Sequence, residues 1–321
     1  MTGASMTTLL LIGKVNPRVR ERLTGKFDLL ELPVASATDV TPDMAARVMG
    51  AASFHGMPAA LMDALPNLGI VANFGVGYDG VDVGHAASKG IIVTNTPDVL
   101  DEEVADTTIG LLLNTLRLLP RAENYLREGR WVREGAFPLS PLTLRGRHIG
   151  MYGMGRIGQQ IARRLDAFNV RISYHTRSPK NEVNYDYYAT LKQLATAVDT
   201  LVCIVPKTPE TRRTIDSDIL AALGANGVVI NVGRGWTVDE DDLADALERK
   251  VIAGAGLDVF EVEPCLPERL LKFENVSLLP HVASASVATR NAMADLVADN
   301  LISWFGNGRP ITPVAETPFQ G

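Results

Sequence analysis

The sequence predicts an α/β protein in which parallel sheets are covered by helices. Two observations carry this. Short apolar runs recur along the chain, separated by segments with apolar residues at helical spacing. One of those runs leads directly into G-M-G-R-I-G (153–158), a glycine loop that opens an amphipathic segment. The first half offers strands at L-L-L-I (9–12), F-D-L-L-E-L (27–32), V-M-G-A-A-S (48–53), I-V-A-N-F (70–74) and I-I-V-T (91–94). The second half offers H-I-G-M-Y (148–152), V-R-I-S-Y (170–174), T-L-V-C-I-V (200–205), G-V-V-I-N-V (227–232), A-G-A-G-L-D-V (253–259) and V-S-L-L (276–279). Helical spacing marks Thr41–Val48, Ile157–Phe168 and Asp239–Glu248. Val104–Leu119 reads as one long helix, bracketed by Pro97 and Pro120, and Val287–Trp304 as the last. The final dozen residues, rich in Pro and Thr, read as a tail.

A length of 321 residues favours two domains. The glycine loop lies near mid-chain, so a cofactor domain cannot begin at residue 1. The long helix could carry the chain between domains, and the last helix could return it. The expected division is 1–98 plus 287–321 for a substrate-binding domain and 99–286 for a dinucleotide-binding domain. Hydrophobic residues make up 46% of the chain, charged residues 21%, and the net charge is −6. This mild acidity argues against nucleic acid or an anionic membrane as partner. Cys203 lies inside an apolar run and reads as a small packed hydrophobe; with Cys265 it makes neither a disulfide framework nor a zinc spacing. The N-terminus lacks the features of a signal peptide, and no apolar run approaches the roughly 18 residues of a membrane helix. A soluble, cytoplasmic protein is expected.

A lone G-x-G-x-x-G is a weak signal, but here a strand precedes it and a helix follows. Gly153 permits the tight turn, Gly155 lets backbone approach a pyrophosphate, and Gly158 lets helix pack on strand. Arg156 and Ile157 open the helix whose N–H groups would face the phosphates. An NAD site usually places an acid about 20 residues on, against the ribose 2′-hydroxyl. That position is Thr176, and no acid occurs from Ala167 to Asn181. The chain instead reads H-T-R-S. Arg177 could pair with a 2′-phosphate, and Thr176 and Ser178 could donate hydrogen bonds. NADPH is therefore favoured over NAD, which remains possible.

Three segments near the chemistry each follow an apolar run: N-V-G-R-G (231–235), G-L-D-V-F-E-V-E-P (256–264) and L-P-H-V-A-S-A-S (279–286). They present Arg234, Glu263 and His281. The guanidinium fork suits a carboxylate. A carboxylate beside an imidazole favours imidazolium, which can hold a proton and deliver it. Glu261 is a rival partner two residues away. His85, His148 and His175 form no metal-ligand cluster and read as ordinary, as does His55. In A-N-F-G-V-G-Y-D-G-V-D (72–82), Gly75 and Gly77 could turn backbone N–H groups toward an anion. A plain strand-to-helix turn explains the same residues equally well.

With these motifs in place, the chain resembles the D-isomer-specific 2-hydroxyacid dehydrogenases, in their glyoxylate/hydroxypyruvate and hydroxyphenylpyruvate reductase branch. The resemblance spans nearly the whole chain. It is most specific in V-A-D-T-T-I-G-L-L-L (104–113), the glycine loop, the three segments above and R-N-A-M-A-D-L-V (290–297). The stretch S-Y-H-T-R-S-P-K-N-E-V-N-Y-D-Y-Y (173–188) is similar to NADPH-preferring reductases. The resemblance implies two Rossmann-like domains with parallel sheets and an active site in the interdomain cleft. It implies Arg234, Glu263 and His281 as the catalytic set. It also implies Val76 and Gly77 as backbone ligands of the substrate carboxylate, and Asp258 as partner of the nicotinamide carboxamide. By the same matching, Val76, Val205, Pro206, Val232, Gly233, Ala283 and Ser284 line the cofactor. Phe54, Trp131 and Phe137 could shape the pocket. Homodimers built through the cofactor domain are usual in such proteins. Trp236 departs from the pattern, where smaller residues are usual, as does V-A-S-A-S after the histidine.

The expected activity is reduction of a 2-keto acid, glyoxylate or hydroxypyruvate among them, to the D-2-hydroxy acid by hydride transfer from NADPH. The alternatives are an NAD-dependent hydroxyacid or phosphoglycerate dehydrogenase, and a cofactor-sensing binding protein without turnover. Thr176 in place of an acid argues against the first, and the retained acid–base pair against the second.

Overall fold

The computed structural model describes residues 6–54 and 56–319. His55 lies outside the described residues. The chain divides into two compact units, Met1–Leu100 with Ser286–Gly321, and Asp101–Ala285.

The first unit is built on five strands: β1 (Thr8–Ile12), β2 (Asp28–Leu32), β3 (Val48–Ser53), β4 (Ile70–Asn73) and β5 (Ile92–Thr94). They pair in the order β2-β1-β3-β4-β5, all parallel. The central strands are apolar runs rather than alternating ones because helices cover both faces of a parallel sheet. Leu9, Leu10, Leu11 and Ile12 are all buried accordingly.

The second unit holds β6 (His148–Tyr152), β7 (Arg171–His175), β8 (Asp186–Tyr187), β9 (Thr200–Cys203), β10 (Val228–Asn231), β11 (Gly254–Leu257) and β12 (Val276–Leu278). Their order is β12-β11-β10-β9-β6-β7-β8, again all parallel. The order reverses between β6 and β9. Ligands of open α/β sheets bind outside the carboxyl ends of the strands at such a switch point. A buried cation braces the opposite ends. Arg147 donates to Thr200 Oγ1 at 2.6 Å and to the Asn226 carbonyl at 2.7 Å, and pairs with Asp199 at 2.9 Å.

Three details differ from the sequence reading. β8 was not foreseen; it is two residues long, polar and at the sheet edge. The long helix runs Asp101–Arg117 and ends where Leu118 takes a left-handed backbone (φ 54°). Pro120 does not stop that helix but lies in the first turn of the next, Leu119–Arg127, where its missing N–H costs nothing. The C-terminal residues are docked rather than a loose tail: Val314 N donates to the Val93 carbonyl at 2.9 Å and Thr317 is buried.

Cys203 is fully buried in β9, and burial pushes its thiol up to about 12. Among the described residues, no helix is long and apolar enough to cross a membrane, and no cluster could hold a metal ion.

Candidate active site

The glycine loop leaves β6 at the switch point. Gly153 has φ 107°, which only glycine adopts readily, and a Cβ there would lie 2.7 Å from the Ile204 carbonyl oxygen. A Cβ on Gly158 would lie 2.5 Å from the Gly153 carbonyl oxygen, so this glycine brings the helix Arg156–Asp166 against the strand. A Cβ on Gly155 would meet no protein atom within 4 Å. Gly155 is therefore not required by packing, and its small size leaves room for a ligand at the helix N-terminus. This arrangement fits a dinucleotide pyrophosphate.

Gly153 N donates to the His175 carbonyl at 3.1 Å, which fixes the end of β7 beside the loop. Thr176, Arg177 and Ser178 follow at once. Thr176 Oγ1 donates to the Ser178 carbonyl at 2.6 Å and shapes a tight turn, with Arg177 and Ser178 exposed on it. Glu210 lies below the usual carboxylate range through its own backbone N–H and the Thr208 hydroxyl, with the Arg177 charge adding to the effect. Arg177 therefore lies within electrostatic reach of the loop after β9, which begins at Val205 and Pro206. No acid stands on the turn.

The loop after β10 is folded by Asn231, which is fully buried. Its Oδ1 accepts from Gly233 N at 3.1 Å and its Nδ2 donates to the Arg234 carbonyl at 2.9 Å. Val232 is buried, and a Cβ on Gly233 would lie 2.9 Å from the Val205 carbonyl oxygen. Arg234 is half-buried, and its Nη1 donates to the Gly233 carbonyl at 2.8 Å. Gly235 is where this loop meets the one after β11. A Cβ there would overlap the Phe260 carbonyl group and Glu261 N. Trp236 fills the next position. Its Nε1 donates to the Thr208 carbonyl at 2.9 Å, and Lys207 and Arg212 stack on its ring.

Glu263 and His281 meet. His281 Nδ1 and Glu263 Oε2 are 2.6 Å apart, and Glu263 Oε1 accepts from Phe260 N at 2.8 Å. Burial pushes the Glu263 carboxyl up. The hydrogen bonds from His281 and Phe260 N, with the charges of His281 and Arg234, outweigh it and leave the group below its ordinary value. Glu261 points elsewhere, to Arg213 at 2.9 Å. Nδ1 is thus engaged by the carboxylate, and Nε2 is the ring's other nitrogen.

Asp258 positions the histidine. Its backbone carbonyl accepts from His281 N at 2.8 Å, and its carboxylate oxygens accept from Val282 N at 2.8 Å and Ala283 N at 2.9 Å. These bonds hold His281 in a left-handed backbone (φ 53°), a conformation costing a non-glycine residue roughly 1–3 kcal/mol. Asp258 is fully buried, and burial raises its carboxyl although the two N–H groups oppose the shift. These backbone bonds are the contacts that the structure gives the Asp258 side chain. Ala283 is buried beside it, its carbonyl accepting from Thr107 Oγ1 at 3.1 Å, and Ser284 is half-buried.

In the first unit, the 75–77 loop turns its carbonyls inward. Asn73 Nδ2 donates to Gly75 and Gly77 at 3.2 and 3.1 Å, Thr96 N to Gly75 at 3.0 Å, and Asn95 Nδ2 to Val76 at 2.9 Å. Among the described residues, nothing accepts from Val76 N or Gly77 N. Since a carbonyl and the next N–H point opposite ways across one peptide plane, Val76 N and Gly77 N face away from these bonds. Phe54 packs on Phe74 with ring centroids 5.3 Å apart. In the second unit, Trp131 is exposed and Phe137 packs on Tyr125. The other histidines serve structure: His85 meets Asp63, His148 meets Ser173, and His175 meets the Tyr188 carbonyl.

Asn73, Asn95 and Asn231 escaped the sequence reading. Their only signal is an amide side chain at or just after a strand end, where Asn often bonds nearby backbone.

The family profile for the D-isomer specific 2-hydroxyacid dehydrogenase NAD binding domain matches residues 109–283. The chain belongs to the D-isomer-specific 2-hydroxyacid dehydrogenase family. It is 45% identical over 309 residues to glyoxylate/hydroxypyruvate reductase A of Arabidopsis thaliana, covering 95% of this chain and 98% of that protein. It is 49% identical to hydroxyphenylpyruvate reductase of Plectranthus scutellarioides, over 81% of this chain and 82% of that protein. A crystal structure of NADPH-dependent glyoxylate/hydroxypyruvate reductase from Sinorhizobium meliloti, with NADP and malonate, shares 63% identity. It superposes with a TM-score of 0.96, covering 99% of each chain.

Proposed function

We propose that this protein is an NADPH-dependent reductase of short 2-keto acids, glyoxylate and hydroxypyruvate foremost, yielding the D-2-hydroxy acid. The observation that carries the reading is the 2.6 Å pair of His281 and Glu263, in a chain with Thr176 where an NAD enzyme would carry an acid and Arg177 beside it. The likeness to reductases of these substrates supports it.

NADPH, when bound, supplies the hydride that goes to the keto carbon. The glycine loop with Gly155, Arg156 and Ile157 holds the pyrophosphate, and Arg177 and Ser178 hold the 2′-phosphate. Val205, Pro206, Val232, Gly233, Ala283 and Ser284 line the remainder. Each Asp258 oxygen retains a lone pair beyond its backbone bond, and the carboxamide contact draws on that capacity. Val76 N and Gly77 N bind the substrate carboxylate, with Phe54 beside them. Arg234 steadies the carboxylate and polarises the keto oxygen, where negative charge develops. His281 Nε2 gives its proton to that oxygen. Glu263, bonded to Nδ1, fixes the orientation of the ring and offers its charge to the imidazolium. Residues 1–100 and 286–321 act as the substrate-binding domain and 101–285 as the cofactor domain. Leu119, Leu126, Trp131, Val132 and Leu139 are exposed large apolar side chains of the cofactor domain, and their burial suits a homodimer.

The test is oxidation of NADPH and of NADH with glyoxylate, hydroxypyruvate and hydroxyphenylpyruvate. Preferred turnover with NADPH and a small keto acid supports the reading. Turnover only with NADH, or with none of the three acids, refutes it.

A further inference from the structure

We propose that residues 311–317 are a positioning element for the 75–77 loop, acting through Asn95 and Tyr78. The inference rests on the reading of that loop as the substrate-carboxylate site.

The connection is a continuous series of hydrogen bonds within the first unit. It starts at Asn300, fully buried in the helix Val287–Asn307. Asn300 Oδ1 accepts from Ile311 N at 2.9 Å and Thr312 N at 3.0 Å, and its Nδ2 donates to Thr312 Oγ1 at 2.9 Å. Thr312 then grips both backbone groups of Asn95. Asn95 N donates to the Thr312 carbonyl at 3.2 Å, and Thr312 Oγ1 donates to the Asn95 carbonyl at 2.6 Å. The side chain of Asn95 finally holds the Val76 carbonyl at 2.9 Å. A second tie runs from the same segment. Tyr78 donates its hydroxyl proton to Glu316 at 3.0 Å, and burial with this bond raises the phenol to about 12.

A segment that only covered the edge of β5 would need less. Pairing of Pro313 with Thr94, the Val314 bond to Val93 and the Thr317 bond to Val93 N at 2.9 Å already satisfy that edge. The bonds to Asn95 and Tyr78 go beyond it and end on the loop whose N–H groups face outward. A carbonyl fixed from behind fixes the direction of the next N–H across the same rigid peptide plane. Holding the Val76 carbonyl thus aims Gly77 N. Loosening it should weaken carboxylate binding and leave the cofactor, held by the other unit, undisturbed.

The test is the KM for glyoxylate set against the KM for NADPH in four variants of the full-length enzyme. Thr312→Val keeps the shape and removes the hydroxyl. Tyr78→Phe cuts the second tie at a partly exposed site, so it remains informative should Thr312→Val fold poorly. Thr312→Ser restores the hydroxyl, and Asn95→Ala cuts the last link directly. Losing one such bond is expected to raise the glyoxylate KM about three- to tenfold in Thr312→Val and Tyr78→Phe. The NADPH KM should move less than about twofold, and Thr312→Ser should return the glyoxylate KM to near the wild-type value. If Asn95→Ala raises the glyoxylate KM while neither Thr312→Val nor Tyr78→Phe does, the positioning role is wrong and the carboxylate loop stands. If Asn95→Ala also leaves it unchanged, the carboxylate reading itself falls. Equal rises in both KM values would mark general loosening and overturn the proposal.

Discussion

Gly235 sits in a tight contact between two loops, and replacing it with alanine gives a quantitative test. A Cβ there would overlap the Phe260 carbonyl group, which would have to retreat by more than about 1 Å to reach the 3.0 Å that real Cβ atoms keep. The obstacle is backbone, so no side-chain rotation relieves it. Phe260 N is also the donor that anchors Glu263 Oε1 at 2.8 Å. Displacing Phe260 by that amount draws Glu263 away from a 2.6 Å hydrogen bond to His281 and shifts Arg234 on the other side. Misplacement of this size costs on the order of 100-fold in rate. Overpacking should also cost about 1–3 kcal/mol of stability. The assay is kcat for NADPH oxidation with glyoxylate, together with a denaturant titration. Gly155→Ala is the control. Its Cβ would meet no protein atom, so stability should hold while NADPH binding weakens. A Gly235→Ala enzyme with kcat within threefold of wild type and unchanged stability would refute the claim that this contact aligns Arg234 with the His281–Glu263 pair.

Further predictions follow from the same geometry. Glu263 is ionised above its lowered pKa, and its support of the imidazolium is lost as pH falls through that value. Glu263→Gln removes the charge at every pH, so kcat for keto-acid reduction should fall across the pH range and the acid-side loss set by Glu263 should vanish. An unchanged profile, with Glu261→Gln altering it instead, would name the wrong carboxylate. Arg177→Ala should weaken NADPH by about 1.5–3 kcal/mol and NADH far less, as measured by fluorescence titration. Equal losses would remove Arg177 from the 2′-phosphate. Arg147→Ala strands the acceptors at Thr200 and Asn226 and should cost about 2–4 kcal/mol by urea titration, with the NADPH KM barely changed. A loss below about 0.5 kcal/mol would show the buried cation to be dispensable.

The fold was legible because strands buried on both faces must be almost wholly apolar. Leu9–Ile12 and Val228–Ile230 could be read as strands without any periodicity. β8 was not, because two polar residues at a sheet edge carry no such signature. Pro120 misled because proline stops one helix and starts another with equal ease, and the break is set by the backbone of Leu118. In the site, the family resemblance named Glu263 over Glu261, which alternation cannot separate because residues two apart share a face of an extended segment; the structure pairs the former with His281 and the latter with Arg213. The asparagines that fold the 75–77 and 233–234 loops were not legible. Each acts through one amide on backbone nearby or on a neighbouring strand, a relation without period or spacing. The docking of residues 311–317 was hidden for a related reason: Thr312 and Thr317 bond to residues more than 200 positions away.

The central claim is that His281, supported by Glu263, supplies the proton for 2-keto acid reduction. It is tested most directly by turnover of His281→Ala with NADPH and glyoxylate, measured alongside the NADPH dissociation constant. Loss of a positioned general acid should lower kcat by roughly 100- to 10,000-fold, with the NADPH dissociation constant within about threefold of wild type. Near-normal turnover in His281→Ala, with the cofactor bound as in wild type, would contradict the mechanism.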